Sequence, residues 1–339
     1  MQAAPRPEVS ILIVSYNTRE LTLAAIQSAW EETHVGKEII VVDNASTDGS
    51  AAAIAAHPAG VRLIALDENV GFGQANNVAA SHARGEYLLL LNPDTVVLPR
   101  SIDLLVAFAR SEPDAGIWGG RTLFADMTLN PSSCWGRMTL WSLVCRVSGL
   151  TALFPASPLF NSEALGCWRR DTERPVDIVS GCFLLITAEL WKSLRGFDPT
   201  FFMYGEEADL CLRARALGAQ PMSTPAATIV HYGGASEATQ AGKVVKLLAA
   251  KISLVRRHFP RLQRPFARLL LILWPLTRWI GSAVGARITD NAALANNAAA
   301  WREVWKRRHE WKRGYPDRRG GGARVALRGP GLQQQEVRA

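Results

Sequence analysis

Three carboxylates fall within four positions at Glu206, Glu207 and Asp209, at the start of a helical pattern that runs to Leu217 and stops at Gly218. Like charges packed this closely repel, and a first helical turn relieves the repulsion because its free N–H groups favour negative charge. The same setting keeps a carboxylate ionised, so that it can accept the proton of an attacking hydroxyl. An ordinary acidic first turn has the same composition, so the cluster alone leaves both readings open. Three further polar clusters stand where apolar runs end: Ser15-Tyr16-Asn17, Asp43-Asn44-Ala45-Ser46-Thr47-Asp48 and Asn92-Pro93-Asp94. An aspartate behind a buried run can accept a base N–H, and a second one can hold a hard cation. Helix caps and turns use the same residue types, but three clusters at three run ends favour one shared crevice. His231 ends a fourth apolar run, over 226–230, ahead of Tyr232-Gly233-Gly234, a place where an imidazole gains functional weight.

The runs that carry these clusters are near-continuous and rich in β-branched residues at 9–16, 38–42, 61–66 and 87–91, as expected of parallel strands covered on both faces. Helical spacing fills the intervals at 21–30, 51–57 and 72–84, and Pro99 is expected to open a further helix through Arg110. Alternation of this kind predicts an α/β fold, a mostly parallel sheet flanked by helices, with ligands at the carboxyl ends of the strands. Residues 122–176 lose the periodicity and read as long connections that hold Trp135, Trp141 and Trp168. A strand at 179–186 and a helix at 188–194 follow. Gly71-Phe72-Gly73 is not a dinucleotide fingerprint, because Asn76 stands where the third glycine belongs. It still sets backbone amides at a helix start, where phosphate is favoured.

Of 339 residues, 48% are hydrophobic and 20% charged, enough for a sizeable core and too apolar for a disordered chain. Five cysteines form no C-x-x-C pair, which argues against a zinc ribbon and for a reducing compartment. The net charge of +8 divides unevenly: from Lys243 onward 21 Lys and Arg face 5 Asp and Glu, whereas residues 1–242 carry 17 against 25. An acidic body with a basic extension suits a polyanionic surface, nucleic acid or anionic membrane. Residues 269–276 are the most apolar, flanked by Arg261, Arg264, Arg268 and Arg278. A bilayer span needs ~20 apolar residues, and Pro275 and Arg278 are expected to interrupt this one, so an interfacial helix or a helix packed on the body is expected. A single-strand binder that uses the basic, Trp-rich tail is the competing class. It leaves the strand-end carboxylates unexplained, since they repel phosphates, and no nucleic acid is expected. A nucleotidyltransferase lacks its Gly-rich basic loop here. No apolar run follows the charged N-terminus, so a signal peptide is not expected.

Taken in order, these pieces resemble the inverting glycosyltransferases of family 2 with the GT-A, Rossmann-like fold, and within it the bacterial rhamnosyltransferases of polysaccharide assembly. The matching segments are VSYN at 14–17, VDNASTDGS at 42–50, NVGFGQANN at 69–77, LLLNPDT at 89–95, SGCFLL at 180–185, GFDPTFFMYGEEADLCLR at 196–213 and HYGGAS at 231–236. The resemblance covers about 9–236 and implies a catalytic domain at 9–242 behind a flexible N-terminus at 1–8; the helical, basic and aromatic pattern beyond it reads as a membrane-associating or packing extension at 243–313, and the Gly- and Arg-rich stretch at 314–339 as a disordered tail. It implies donor contacts from Ser15, Tyr16, Asn17, Asp43, Asn44, Ser46, Asp48, Gly71, Phe72, Asn76, Asn92 and Asp94, with Asp43 on the nucleobase. Asp94 and His231 would hold Mg²⁺ or Mn²⁺, and Glu207 would be the general base, with Glu206 and Asp209 orienting its surroundings. Ser180, Gly181, Trp135 and Tyr204 would face the acceptor. Two departures stand out: Asn92 removes a charge from the usual D-x-D, and Glu207 replaces the commoner aspartate. The implied donor is dTDP-rhamnose, with a UDP-sugar as the alternative. The implied acceptor is a lipid-linked glycan, reached from the cytoplasmic side of an anionic membrane.

Overall fold

The computed structural model describes residues 6–166, 168–233 and 240–317. Strands β1 (Val9–Ser15), β2 (Lys37–Asp43), β3 (Arg62–Ala65) and β4 (Tyr87–Leu91) alternate with helices α1 (Arg19–Glu31), α2 (Ser50–Ala55) and α3 (Phe72–Ser81). Every residue of β1 and β4 is buried, as both faces of the sheet are covered. Next come β5 (Thr95–Val97), α4 (Ser101–Ser111), β6 (Ile117–Leu123), β7 (Leu129–Asn130), β8 (Cys134–Trp135), α5 (Leu140–Ser148) and α6 (Leu150–Leu153). Then follow β9 (Arg174–Pro175), β10 (Ile178–Val179), β11 (Phe183–Thr187), α7 (Ala188–Leu194), α8 (Glu206–Ala216) and β12 (Met222–His231). Helices α9 (Gln240–His258), α10 (Arg264–Thr289), α11 (Ala292–Lys306) and α12 (Arg308–Trp311) form the extension.

The main sheet runs β3-β2-β1-β4-β11-β6-β12-β5. β1 to β4 are parallel, and so are β6 and β12, whereas β11 and β5 run antiparallel to their neighbours. β1 lies between β2 and β4, so successive connections leave it in opposite directions and open a crevice at the strand ends. The structure corrects several expectations. The strand expected at 179–186 breaks into β10 and β11 around Ser180–Cys182, and that break becomes part of the site. The helix behind Pro99 starts at Ser101, after Arg100 in a left-handed conformation (φ 58°). Within 122–176 the chain is not all connection: α5 is an amphipathic helix opened by a reciprocal cap between Thr139 and Ser142. Arg170 locks this excursion by donating to the carbonyls of Pro131, Cys134, Ala164 and Trp168 at 2.7–3.2 Å.

One core lies on each face of the sheet, and a third joins Leu143 of α5 to Leu248, Ile252 and Val255 of α9, Leu271 and Trp274 of α10, Val304 of α11, and Trp311. The extension therefore packs on the body through α9 and α5. A buried cluster seals that seam: Glu163 accepts from Ser142 Oγ (2.7 Å) and pairs with Arg146 (2.9 Å) and Lys251 (3.0 Å). Burial alone would raise the Glu163 carboxyl, and the two cations pull it down to about 2. Helix α10 continues through Pro275 and Arg278, which were expected to end it, and by length and composition it could cross a membrane. Residues 314–317, expected to open a disordered tail, pack back: the Tyr315 hydroxyl donates to Met203 O (2.5 Å) and its N–H to Ser253 Oγ (2.8 Å). At the other end Glu8 is held by Arg110 and Gly36, so residues 6–8 join the body. Residues 1–5, Cys167, 234–239 and 318–339 lie outside the described residues, including the last three positions of the HYGGAS segment and the rest of the expected tail.

Candidate active site

The crevice at the β1–β4 switch point has a floor of its own making. Asp43 is buried at the end of β2; one carboxylate oxygen accepts from Ser46 N (3.1 Å) and Oδ1 has no partner. An orphaned buried acceptor costs stability, and a nucleobase N–H would relieve that cost. Asn17, at φ 53°, zips the β1 and β2 loops together: its N–H donates to Ser46 Oγ (2.9 Å) and its Oδ1 accepts from Thr47 N (2.8 Å). Tyr16 is left 42% exposed at the rim, free to lie against a planar ligand. Other expected donor contacts are occupied within the protein. Ser15 Oγ bonds Thr22 Oγ1 (3.0 Å), Asp48 accepts from Arg19 N and Ser50 N (both 3.0 Å), and Asn76 donates to Phe72 O (3.0 Å). Asn44 bonds Asn69 (3.0 Å) and Val70 N (3.0 Å). These four build the crevice instead of lining it with free polar groups.

The loop ahead of α3 is fastened to the segment ahead of α8. Gly71 has φ +85°, and a Cβ there would stand 2.5 Å from Phe202 O. Only glycine allows that approach. Phe72 N donates to Phe202 O (3.3 Å), and Asn77 makes two bonds with the backbone of Phe197, both 2.9 Å. The start of α8 is thereby set against the crevice.

A second fastening brings Asn92, Asp94 and His231 together. β5 pairs with the end of β12 so that His231 faces Thr95, Tyr232 N donates to Asp94 O (3.0 Å), and Asn92 N donates to Cys182 O (3.1 Å). His231 Nε2 then stands 3.2 Å from Asp94 Oδ1 and 3.3 Å from Asn92 Nδ2. Burial would lower the imidazole pKa, but hydrogen bonds to Asp94 and Cys182 raise it to about 10. Nδ1 is buried without a partner. Among the described residues no group of three or more His, Cys, Asp or Glu could hold a metal ion. The imidazole nitrogen and carboxylate oxygen are nevertheless close enough that Asp94 and His231 would hold one Mg²⁺ or Mn²⁺ between them, with His231 giving up its proton to do so.

The acidic first turn of α8 follows Gly205 (φ +87°) and divides sharply. Burial raises Glu207, and it raises Glu206 further with the charge of Glu207 beside it. Oε2 of each is buried without a partner. Glu207 lies beside Gly181, where an added Cβ would be 3.9 Å from its Cβ and 3.3 Å from Phe72. The Ser180–Cys182 break in the strand therefore lies beside the Glu207 side chain on one side and is bonded to Asn92 on the other. Ser180 N bonds Ser133 O (2.9 Å) and Trp135 pairs with Ile178, so Ser180, Gly181 and Trp135 share this corner, while Tyr204 (φ 67°) immediately precedes the helix.

Asp209 belongs elsewhere. It is fully buried, paired with Arg213 (2.7 Å), His258 (2.8 Å) and Arg257 (3.3 Å). Burial would raise its carboxyl, and His258, Arg213 and Arg257 more than offset that and hold it below the ordinary range. It is a structural anchor with no capacity to spare. Sequence reasoning missed Arg257 and His258, which no motif marks, and Cys182, which sits inside a quoted segment. It also missed Asn77, whose only signal was a second asparagine beside Asn76.

Residues 10–156 match the family model described as Glycosyl transferase family 2, a stretch that begins at β1 and includes the crevice. The chain is 29% identical over 208 residues to the N-acetylglucosaminyl-diphospho-decaprenol L-rhamnosyltransferase of Mycobacterium tuberculosis, covering 57% of this chain and 66% of that protein. It is 29% identical over 245 residues to the O-antigen biosynthesis protein RfbC of Myxococcus xanthus, covering 69% of this chain and 18% of that one. The chain thus spans from less than a fifth to just under two thirds of these relatives. The mannosyltransferase of Pyrobaculum calidifontis, solved with GDP-Man and Mn²⁺, superposes with a TM-score of 0.57 at 16% identity over 91% of this chain and 88% of that one. This likeness shows a shared GT-A fold.

Proposed function

We propose that this chain transfers a sugar, L-rhamnose from dTDP-rhamnose, from a nucleoside diphosphate to a hydroxyl of a lipid-linked glycan, with inversion at the anomeric carbon. The observation that carries the reading is that Glu207, with one carboxylate oxygen unpartnered, and the Asp94/His231 pair flank the Ser180–Cys182 break from two sides. The rhamnosyltransferase of M. tuberculosis, by its name, supports both the sugar and the polyprenol diphosphate acceptor.

In this reading Asp43 Oδ1 accepts a base N–H, and Asp94 and His231 hold Mg²⁺ or Mn²⁺. The cation supplies Lewis-acid neutralisation of the departing diphosphate, so no proton donor is needed at the leaving group. Glu207 takes the proton from the acceptor oxygen. Its raised pKa makes it a stronger base than an exposed glutamate, at the cost of a larger protonated fraction. Glu206, raised further, holds the proton of the pair and limits the negative charge there. A single displacement from the face opposite the leaving group inverts configuration. Trp135, Tyr204, Ser180 and Gly181 would flank the acceptor. Helix α10 supports a peripheral membrane location on the cytoplasmic face: Phe266, Leu269, Ile280, Val284 and Ile288 are exposed along it, with Arg261, Arg264, Arg268 and Arg287 alongside. Apolar and basic groups so arranged suit an anionic interface.

Incubation with dTDP-rhamnose, UDP-sugars and GDP-mannose, with and without Mn²⁺, tests the reading. Metal-stimulated release of free dTDP, with a product of inverted configuration by NMR, is expected. Release from UDP-sugars alone would replace the donor, and no release from any donor would overturn the activity.

A further inference from the structure

A cavity of about 300 Å³ on the acceptor face belongs to none of the groups above. It is lined by Arg121, Leu123, Met127, Leu129, Arg169 and Asp171. Its position follows from the sheet. β6 is parallel to β12 with Leu123 beside Val230, so its end reaches the same edge as His231. A Cβ on Gly119 would meet Val179 of β10, and alternation along β6 sets Arg121 and Leu123 on that face, the face where Cys211 of α8 also reaches Val179. The cavity therefore opens on the side that carries Glu207.

Its chemistry is divided. Arg121 is half-buried and its Nε is buried without a partner; among the described residues neither Arg121 nor Arg169 makes an ion pair. An unpaired buried guanidinium nitrogen costs stability unless a ligand satisfies it. The planar fork of arginine suits phosphate oxygens. Asp171 lies on the same wall, so the lining keeps one net positive charge. Leu123, Met127 and Leu129 supply the apolar part of the lining, and Met127, 56% exposed, stands on the β6–β7 turn that also carries Phe124, 43% exposed. Met127 holds φ 65°, a conformation bulky side chains rarely adopt, in a turn closed by Phe124 N to Thr128 O (2.8 Å) and by Asp126 on Thr128 N (3.0 Å). The turn is held so as to present two large apolar side chains to solvent beside two unpaired cations.

We infer that this cavity binds the phosphate end of a lipid-linked acceptor, with Arg121 and Arg169 on the phosphate oxygens and Phe124, Met127 and Leu129 against the first units of the hydrocarbon chain. The inference deepens the proposed function and rests on its lipid-linked acceptor, but binding can be read without sugar transfer.

The test uses the full chain, farnesyl diphosphate as a sugar-free probe and inorganic pyrophosphate as the headgroup alone. By calorimetry farnesyl diphosphate binds the wild type, and Arg121→Ala and Arg169→Ala each weaken it about tenfold or more, as for a lost charge-assisted hydrogen bond. Met127→Ser weakens farnesyl diphosphate and leaves pyrophosphate unchanged, which separates lipid from free phosphate. Arg169→Ala, at an exposed position, guards against misfolding at Arg121. In transfer assays the arginine variants raise the acceptor KM about tenfold, with donor KM within about twofold of wild type. Unchanged farnesyl diphosphate binding in both arginine variants overturns the inference, and so does a loss of donor binding in place of acceptor binding. If the wild type transfers no sugar yet loses farnesyl diphosphate binding in these variants, the proposed activity fails and the pocket stands.

Discussion

Glu206 and Glu207 share one helical turn with Asp209, and the three carboxylates have opposite surroundings. Glu206 is buried and Glu207 half-buried, each with one carboxylate oxygen sealed off and unpaired and its pKa raised, whereas Asp209, fully buried, is gripped by Arg213, Arg257 and His258 and its pKa is lowered. Each has carboxylate oxygen withdrawn from water, so partners decide the outcome, and two of the partners come from α9, about 50 residues downstream. One side of the turn is thus anchored by the C-terminal extension while the other is kept open for chemistry. An anchor fixes geometry, and a base needs an uncommitted lone pair.

The largest effect expected from breaking this contrast is on the anchored side. Asp209→Ala leaves two arginines and a histidine without their buried carboxylate and should cost about 3–5 kcal/mol of stability, read by urea unfolding. A loss under about 1 kcal/mol would show that the anchor is not one. The sign with pH follows from the lowered pKa: the contribution of Asp209 is present above the ordinary aspartate range and disappears as pH falls through its folded value.

On the open side, Glu207→Gln should cut turnover at least ~100-fold while unfolding stability stays level or rises, because the amide oxygen can still accept from the backbone N–H groups of Gly205 and Glu207 and no buried charge remains. Near-normal turnover in a folded variant removes Glu207 from the base role. Glu206→Gln is milder. A raised carboxylate pKa means the native state gains stability as pH falls and loses it as pH rises through that value. The variant should therefore flatten the decline that sets in as pH rises above the ordinary glutamate range. The two glutamates titrate as a pair, and with Glu206 holding its proton the neutral glutamine should leave the acid limb of the kcat profile in place. A limb displaced to lower pH would mean that Glu206 carries charge in the reacting enzyme.

Much of this contrast escaped the sequence for a physical reason. Local signals are short-ranged: the polar strand ends, the glycine before α3 and the acidic turn could all be read because each depends on neighbours within a few residues. The placing of Asp94 beside His231 was reachable too, since an ordered set of motifs implied it and the sheet brings the two together at 3.2 Å. Ser15, Asn44, Asp48 and Asn76 were expected at ligand contacts, and no signal in the sequence marked their internal bonds, because side chains that cap loops and side chains that touch ligands have the same composition. Only the tertiary partner tells them apart, as Asn44 shows by spending both ends on Asn69 and Val70. Helix α10 passing through Pro275 is the same lesson in the backbone. Packing of Leu271 and Trp274 against α5 and α9 outweighs the lost N–H.

The smallest perturbation is the sharpest probe of whether anchor and base are separable. His258→Gln keeps an amide donor within reach of Asp209 Oδ1, now 2.8 Å from His258 Nε2, and leaves Arg213 and Arg257 in place. The expected cost is about 1 kcal/mol, the value of one hydrogen bond to a charged group partly replaced. The α8 backbone is also held by Arg213, which donates to Leu194 O (2.7 Å) and Gly196 O (2.8 Å), so Glu207 should keep its position and kcat should stay within about twofold. If kcat instead falls tenfold or more at that small stability cost, the extension reaches through Asp209 to Glu207, and the two sides of the turn work as one device.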